Sequence, residues 1–351
     1  MNFSQTDLAQ LNDLGLNPDA VLEQINRFKT GFPFANLDRP ATPGDGILCY
    51  SQQEINDLAK VYEDRQEVLK PEKFVPASGA ASRMFKHLFA ALNGETDEAV
   101  NDFFDKLENF AFYDELKANL ESRGINIGSA ERTTILAALL EQPMELGSKP
   151  KALIPFHKYG NNEVRLSLEE HFLEAVNYAV GKNKTCLLHF TVSPNHLDAV
   201  KEACEWLKSK YEKAFGVRFE INFSTQDPRT DTIVVNPENT PFRTEDGELL
   251  FRPGGHGALL LNLEQTQGDI LFIKNIDNVC KAEMQGETYL YKKALAGLLL
   301  LVREAVQGYL ETGEKDFLSK LKALGVPMPE TADAHSLKQW LDRPIRVCGM
   351  V

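Results

Sequence analysis

The chain has 351 residues, 43% of them apolar and 25% charged, enough to bury a core in one large domain or two modest ones. Asp and Glu outnumber Lys and Arg by 51 to 38, giving a net charge of −13, and a surface this acidic repels polynucleotides and anionic membranes. The five cysteines (Cys49, Cys186, Cys204, Cys280 and Cys348) form no CxxC pair, so neither a zinc knuckle nor a disulfide framework is indicated.

The first elements are helical. Asn17 caps a helix that opens on Pro18 and ends near Lys29, before Gly31. Ser51 and Glu54 form a capping box for a helix reaching about Gln66. The Pro- and Gly-rich stretch between them reads as a long surface loop. Near Lys73 the rhythm changes, and the apolar runs KFVPA, ALIPF, CLLHFTV, FEINFS, TIVV and DILFIKNI become expected strands. Helices opening near Ser82, Leu168 and Ser193 alternate with them, which predicts a mainly parallel sheet covered on both faces. From about Lys281 the chain turns helical again, to about Leu310, and the closing RPIRVCGMV reads as a strand that pairs at a sheet edge or runs on into further chain. Three regions follow: a helical stretch 1–70, an α/β core 71–280 with a helical insertion at about 85–147, and a helical stretch 281–351. The N-terminus lacks the basic start and apolar run of a signal peptide, and the greasy stretch 295–302 is too short to span a bilayer, so a cytoplasmic protein is expected.

Five segments carry chemistry. In VPASGAASRMFK an expected strand runs through Ala77 into the small residues Ser78, Gly79, Ala80, Ala81 and Ser82, then into a helix opening with Arg83. Bare backbone amides and a helix N-terminus suit a phosphate, and Arg83 can grip it with two parallel hydrogen bonds. In SKPKALIPF, Pro150 fixes the backbone ahead of Lys151. In FRPGGHGALLL, the glycine-rich bend Gly255-His256-Gly257 leaves room for a planar base or a ribose. DILFIKNIDNV ends a buried strand in Asn275, Asp277 and Asn278, and Asp277 suits Mg²⁺, which takes one or two carboxylates plus substrate phosphates. In NFSTQDPRTDT, Gln226 and Arg229 flank Pro228. Each segment alone also reads as an ordinary turn.

In chain order these segments resemble the sugar-nucleotide pyrophosphorylases, above all the UDP-sugar and UDP-N-acetylhexosamine branch, over about 71–280. Gly79-Ala80-Ala81-Ser82-Arg83-Met84 looks like the family's G-x-G-[ST]-R-[ML] loop, and Pro150-Lys151 like its P-K segment. Gln226-Asp227-Pro228, Gly255-His256-Gly257 and the strand ending at Asp277 are similar to its later motifs. The chain also resembles a bacterial family of unassigned function. The pyrophosphorylase likeness implies a Rossmann-like sheet of GT-A type and a Mg²⁺-dependent nucleotidyltransferase. Such an enzyme joins a nucleoside triphosphate to a sugar 1-phosphate and releases pyrophosphate. Arg83 and Lys151 would be catalytic. Ala77, Ser78, Gly79, Ala80, Ser82, Gln226, Gly255, His256 and Gly257 would hold the nucleotide, and Asp277 the metal. Two departures stand out: Ala81 replaces the second glycine, and the insertion separates Lys151 from Arg83, where Lys86 is a nearer lysine. The alternatives are a non-catalytic nucleotide or nucleotide-sugar binding protein, a related nucleotidyltransferase acting on a non-sugar phosphate, and a scaffold whose acidic helical N-terminal region docks a partner while the glycine turns are structural.

Overall fold

The computed structural model describes residues 3–79, 81–329 and 333–349, apart from the side chain of His256. Four strands pair in parallel at its centre: β1 (Pro71–Pro76), β2 (Thr185–Thr191), β3 (Arg218–Ser224) and β4 (Ile270–Ile273). Their spatial order is β4-β1-β2-β3, and Ile273, Phe74, His189 and Asn222 lie side by side across the register. The helices that frame this sheet are α1 (Gln52–Gln66), α2 (Ser167–Tyr178), α3 (Leu197–Phe215) and α4 (Gln285–Thr312). Parallel neighbours need crossovers, and α2 and α3 supply those from β1 to β2 and from β2 to β3.

The caps fall where local chemistry puts them. The Ser51 hydroxyl accepts from the Glu54 N–H, and the Glu54 carboxylate accepts from the Ser51 N–H at 2.7 Å, so α1 starts at Gln52. Asn17 caps the helix Pro18–Thr30, and Gly31 ends it at φ 73°, a left-handed conformation that glycine takes without steric cost.

One face of the sheet, with Val75, Leu188, Phe190, Phe219 and Phe272, is closed by Tyr62, Phe172, Tyr178, Leu207 and Leu300 of the four helices. Where α4 crosses α1, a methyl group on Gly297 would stand 1.8 Å from the Leu58 carbonyl oxygen. Backbone meets backbone there, so nothing can rotate aside. Gly297→Ala is expected to lower the unfolding free energy by about 3 kcal/mol, the upper end of overpacking losses. A urea titration reads this as a lower midpoint, and an unchanged midpoint would show that the helices separate freely.

The opposite face departs from the expected helical cover. Glu72, Phe74 and His189 are buried there, and the connection 256–268, whose longest helix is the single turn Leu260–Leu263, is hydrogen-bonded to Glu72 and Ser224, while Ile273 stays half exposed. Three expected strands also fall elsewhere. ALIPF becomes a 3₁₀ turn, Lys151–Leu153, followed by a short strand, Pro155–Lys158, paired antiparallel with Val164–Leu166. TIVV contributes only Thr232–Ile233, paired with Phe251–Arg252. Residues 344–349 form no strand; Ile345 and Val347 pack instead on the helices near the C-terminus. The first two runs thus pair in short antiparallel ladders outside the central sheet, and the third is accommodated by side-chain packing alone.

The insertion builds its own apolar cluster around Phe103, Phe112, Leu116, Leu136 and Leu139. The first seventy residues divide between two partners. Leu11, Val21 and Ile25 pack on Ile233 and Leu249, whereas α1 packs on α4.

Candidate functional site

Chain direction gives the parallel sheet one edge where all four strands end. The loops leaving it carry Asp277 after β4, Gly79 after β1, Ser193 after β2 and Gln226 after β3. The connections run from β1 to β2 to β3 and then back across to β4, so the winding reverses between β1 and β4. Open α/β sheets bind ligands in the crevice outside the strand ends at such a reversal.

Three of the predicted residues meet there. Lys151 Nζ lies 2.6 Å from Asp277 Oδ2, with a quarter to a third of each side chain exposed. The Lys151 N–H donates to the Gly79 carbonyl at 3.2 Å, and the Ala81 N–H to the Lys149 carbonyl at 3.3 Å, which ties the loop after β1 to the segment before Lys151. Gly79 is exposed, and the N–H groups of Ser78 and Gly79 make no hydrogen bond among the described residues. Arg83 ends the 3₁₀ turn Ala81–Arg83; it is exposed and has no ion pair or hydrogen bond from its side chain among the described residues. Ser82 is exposed beside it. Ala77 is different. It is fully buried, and its N–H donates to the Thr191 carbonyl at 2.9 Å, so it continues the sheet and cannot touch a phosphate. Ala80 lies outside the described residues.

Gln226 and the glycine bend form a second group at the far end of this edge. The Gln226 amide donates to Thr230 Oγ1 at 3.3 Å and to Asp231 Oδ1 at 3.4 Å. A methyl group on Gly254 would come within 2.8 Å of the Thr230 carbonyl oxygen and 3.9 Å of Gln226 Nε2. The positions of Gly255 and Gly257 face open space. Two strand spacings of about 4.8 Å separate the strand before Gly79 from the strand before Gln226, and three separate the strand before Asp277 from it, about 10 and 14 Å.

A polar stripe on α2 holds this edge in place, and the sequence reading passed over it. Ser167, Glu170, His171 and Glu174 follow the i, i+3, i+4, i+7 spacing of one helix face, and all four are buried. The Ser167 hydroxyl donates to the Lys151 carbonyl at 2.7 Å. His171 Nε2–H donates to the Ile276 carbonyl at 3.2 Å, one residue before Asp277. Burial holds the His171 pKa well below the usual range, so the ring is neutral with its single proton on that bond. Glu174 accepts from Lys73 Nζ at 2.7 Å and from Lys274 Nζ at 2.5 Å. Burial pushes the Glu174 carboxyl up, yet the ammonium groups of Lys73 and Lys274 outweigh it and hold it at about 2. Glu170 meets His157 Nδ1 at 2.9 Å, the Tyr159 hydroxyl at 2.6 Å and the Gln285 amide at 3.1 Å. Thus α2 fixes both partners of the Lys151–Asp277 pair from behind.

The fit to a metal ion is narrow. Among the described residues no group of three or more His, Cys, Asp or Glu side chains could hold one. Asp277 offers one carboxylate, already in contact with an ammonium, which fits an ion that arrives with its phosphates better than one resident in the protein. Among the described residues no helix is long and apolar enough to cross a membrane.

No curated protein and no solved structure matches the chain. The sequence does match, over residues 4–351, the model of a family described as a domain of unknown function (DUF4301). That span is nearly the whole chain, and the protein therefore belongs to this family.

Proposed function

We propose that the protein binds a nucleoside triphosphate across the C-terminal edge of the sheet and transfers its nucleotidyl group to a sugar 1-phosphate, releasing pyrophosphate. The observation that carries this reading is the convergence of Gly79, Lys151 and Asp277 where the winding reverses. The order β4-β1-β2-β3 further supports it, because read from β3 it matches the 3-2-1-4 run of doubly wound nucleotide-binding sheets, the Rossmann-like arrangement that the sequence resemblance implies.

In this reading the amides of Ser78 and Gly79 face phosphate oxygens, with Ser82 beside them. Arg83, exposed and without an ion pair among the described residues, donates two hydrogen bonds to the leaving pyrophosphate. Lys151 turns from Asp277 to the attacking sugar phosphate and offsets the charge of two approaching anions. Gln226 and the bend Gly255–Gly257, with His256, take the base and ribose, at a distance from the phosphates that a nucleotide spans. The attacking phosphate oxygen forms its bond to the α-phosphorus as the bond to pyrophosphate breaks, so positioning and charge neutralisation carry the rate. Asp277 would hold Mg²⁺ brought in on the triphosphate, an ion whose chemistry is to neutralise charge developing on the phosphates.

A screen of nucleoside triphosphates against sugar 1-phosphates with Mg²⁺, read as pyrophosphate release, tests the reading. Arg83→Ala is expected to lower turnover at least about a hundredfold, about 2.7 kcal/mol of transition-state stabilisation, without changing the thermal midpoint. An unchanged rate would remove Arg83 from the mechanism, and no release with any pair would remove the transferase. The contact of Asp277 with Lys151 favours one other reading, a nucleotide-sugar binder without turnover, which predicts ligand-dependent thermal stabilisation and no pyrophosphate.

A further inference from the structure

On the sheet face away from α2, a second group of reactive side chains runs diagonally across three neighbouring strands: Glu72 on β1, His189 on β2 and Ser224 on β3. Ser224 Oγ lies 2.7 Å from His189 Nε2. His189 Nδ1 faces Glu72 Oε1 at 3.7 Å, and neither atom has a hydrogen-bond partner among the described residues. Both side chains are almost wholly buried, 3% and 1% exposed, so no bulk solvent satisfies these two atoms.

Each member is held. Phe74 stacks on the His189 ring with centroids 5.1 Å apart. The other Glu72 oxygen accepts the N–H groups of Gln267 and Gly268, both at 2.8 Å. A methyl group on Gly268 would come within 2.6 Å of the Glu72 side chain, so only glycine lets these amides approach. The Asn262 amide donates to Ser224 Oγ at 2.8 Å and to the Thr225 carbonyl at 2.9 Å. Ser224 and Asn262 open onto a cleft of about 660 Å³ along the free edge of β3, walled by Leu197, Phe223 and Leu261.

We infer that Ser224, His189 and Glu72 form a nucleophilic hydrolase site for small carboxylic esters, separate from the phosphate site at the strand ends. The three roles follow from the geometry, since a serine paired with a histidine that is oriented by a carboxylate is the general arrangement of an activated hydroxyl. Burial lowers the His189 pKa, so the ring is neutral at pH 7 and free to take a proton on Nε2. The long Nδ1–Glu72 distance is of the kind that tightens once the ring becomes cationic.

Ser224 Oγ attacks the ester carbonyl carbon as its proton passes to His189 Nε2. Glu72 steadies the imidazolium through Nδ1–H, and the Asn262 amide lies within reach of the developing oxyanion. The ester C–O bond then breaks, His189 returns the proton to the departing alcohol, and Ser224 is left acylated. Water, deprotonated by His189, attacks the acyl carbon and releases the carboxylic acid. The sum is ester plus water to acid plus alcohol. The apolar wall of Leu197, Phe223 and Leu261 suits a short acyl chain.

The test uses the full chain without nucleotide. A fluorophosphonate probe, followed by peptide mapping, is expected to label Ser224, and p-nitrophenyl acetate to be hydrolysed. Ser224→Ala and His189→Gln are expected to lower that hydrolysis at least about a hundredfold. A folded wild-type protein that carries no label on Ser224 overturns the proposal, as does a Ser224→Ala variant that hydrolyses the ester at the wild-type rate. Should that variant fail to fold, the labelled position in the wild-type chain decides the matter. Neither readout involves a triphosphate, so failure here leaves the nucleotidyltransferase reading untouched, and the reverse holds too.

Discussion

Glu174→Gln is expected to lower the unfolding free energy by about 3–5 kcal/mol, the loss that follows when a buried ion pair is broken on one side. The substitution keeps the shape and removes the charge. Lys73 and Lys274 then face each other across a neutral amide, with side chains 0% and 8% exposed, so water cannot compensate. The Tyr178 hydroxyl, which donates to Glu174 at 2.9 Å, keeps its partner, so the loss reports the charge and not a missing hydrogen bond. The pH dependence carries a sign. Glu174 sits at about 2 against an ordinary 4.5, so the unfolded chain binds more protons in that window. Its stabilisation is therefore present above pH 4.5 and disappears as pH falls toward 2. Burial draws Lys73 down to about 7 from 10.5, against the pull of Glu174, because one carboxylate neutralises one of two lysines. Its contribution accordingly makes the protein more stable as pH rises from 7 toward 10.5. Urea titrations from acid to alkaline pH measure both limbs. A Glu174→Gln midpoint equal to wild type at neutral pH would mean that the lysines escape to water.

The second large effect is on activity. On the proposed reading Lys151→Ala is expected to reduce nucleotidyl transfer at least about a hundredfold, since the ammonium would be the cation that meets two anions at the strand ends. Stability should barely move, because a partly exposed pair of this kind contributes about 0–1 kcal/mol. Combining Lys151→Ala with Asp277→Asn sharpens the test. If the two act on one bound phosphate group, the double variant loses less than the sum of the single losses. Full additivity, or a Lys151→Ala rate equal to wild type, would place the pair outside the reaction.

Several elements were legible from local chemistry. The capping box at Ser51 and Glu54, the Asn17 cap and the Gly31 stop fix helix ends through hydrogen bonds between residues two to four apart. The strands around Phe74, Leu188 and Phe219 follow from apolar runs bounded by turn residues. ALIPF and the C-terminal RPIRVCGMV misled because an apolar run reports burial, and burial on a helical cluster looks the same in sequence as burial in a sheet. The polar stripe of α2 was visible as a spacing, yet Ser167, Glu170, His171 and Glu174 read alone as a solvated helix face. Lys73, His189 and Lys274 were the better warning, since charged or titratable groups in apolar strands demand partners.

By itself the sequence determined the helix caps at Asn17 and Ser51, the four strand runs of the central sheet and where the small-residue loops fall, because those depend on bonds and patterns within a few residues. Only the tertiary structure decided that Lys151 meets Asp277 across 126 residues and that Glu72, His189 and Ser224 line up on one face. Strand order and facing are set by how buried surfaces fit together, and no local rule of spacing encodes that fit.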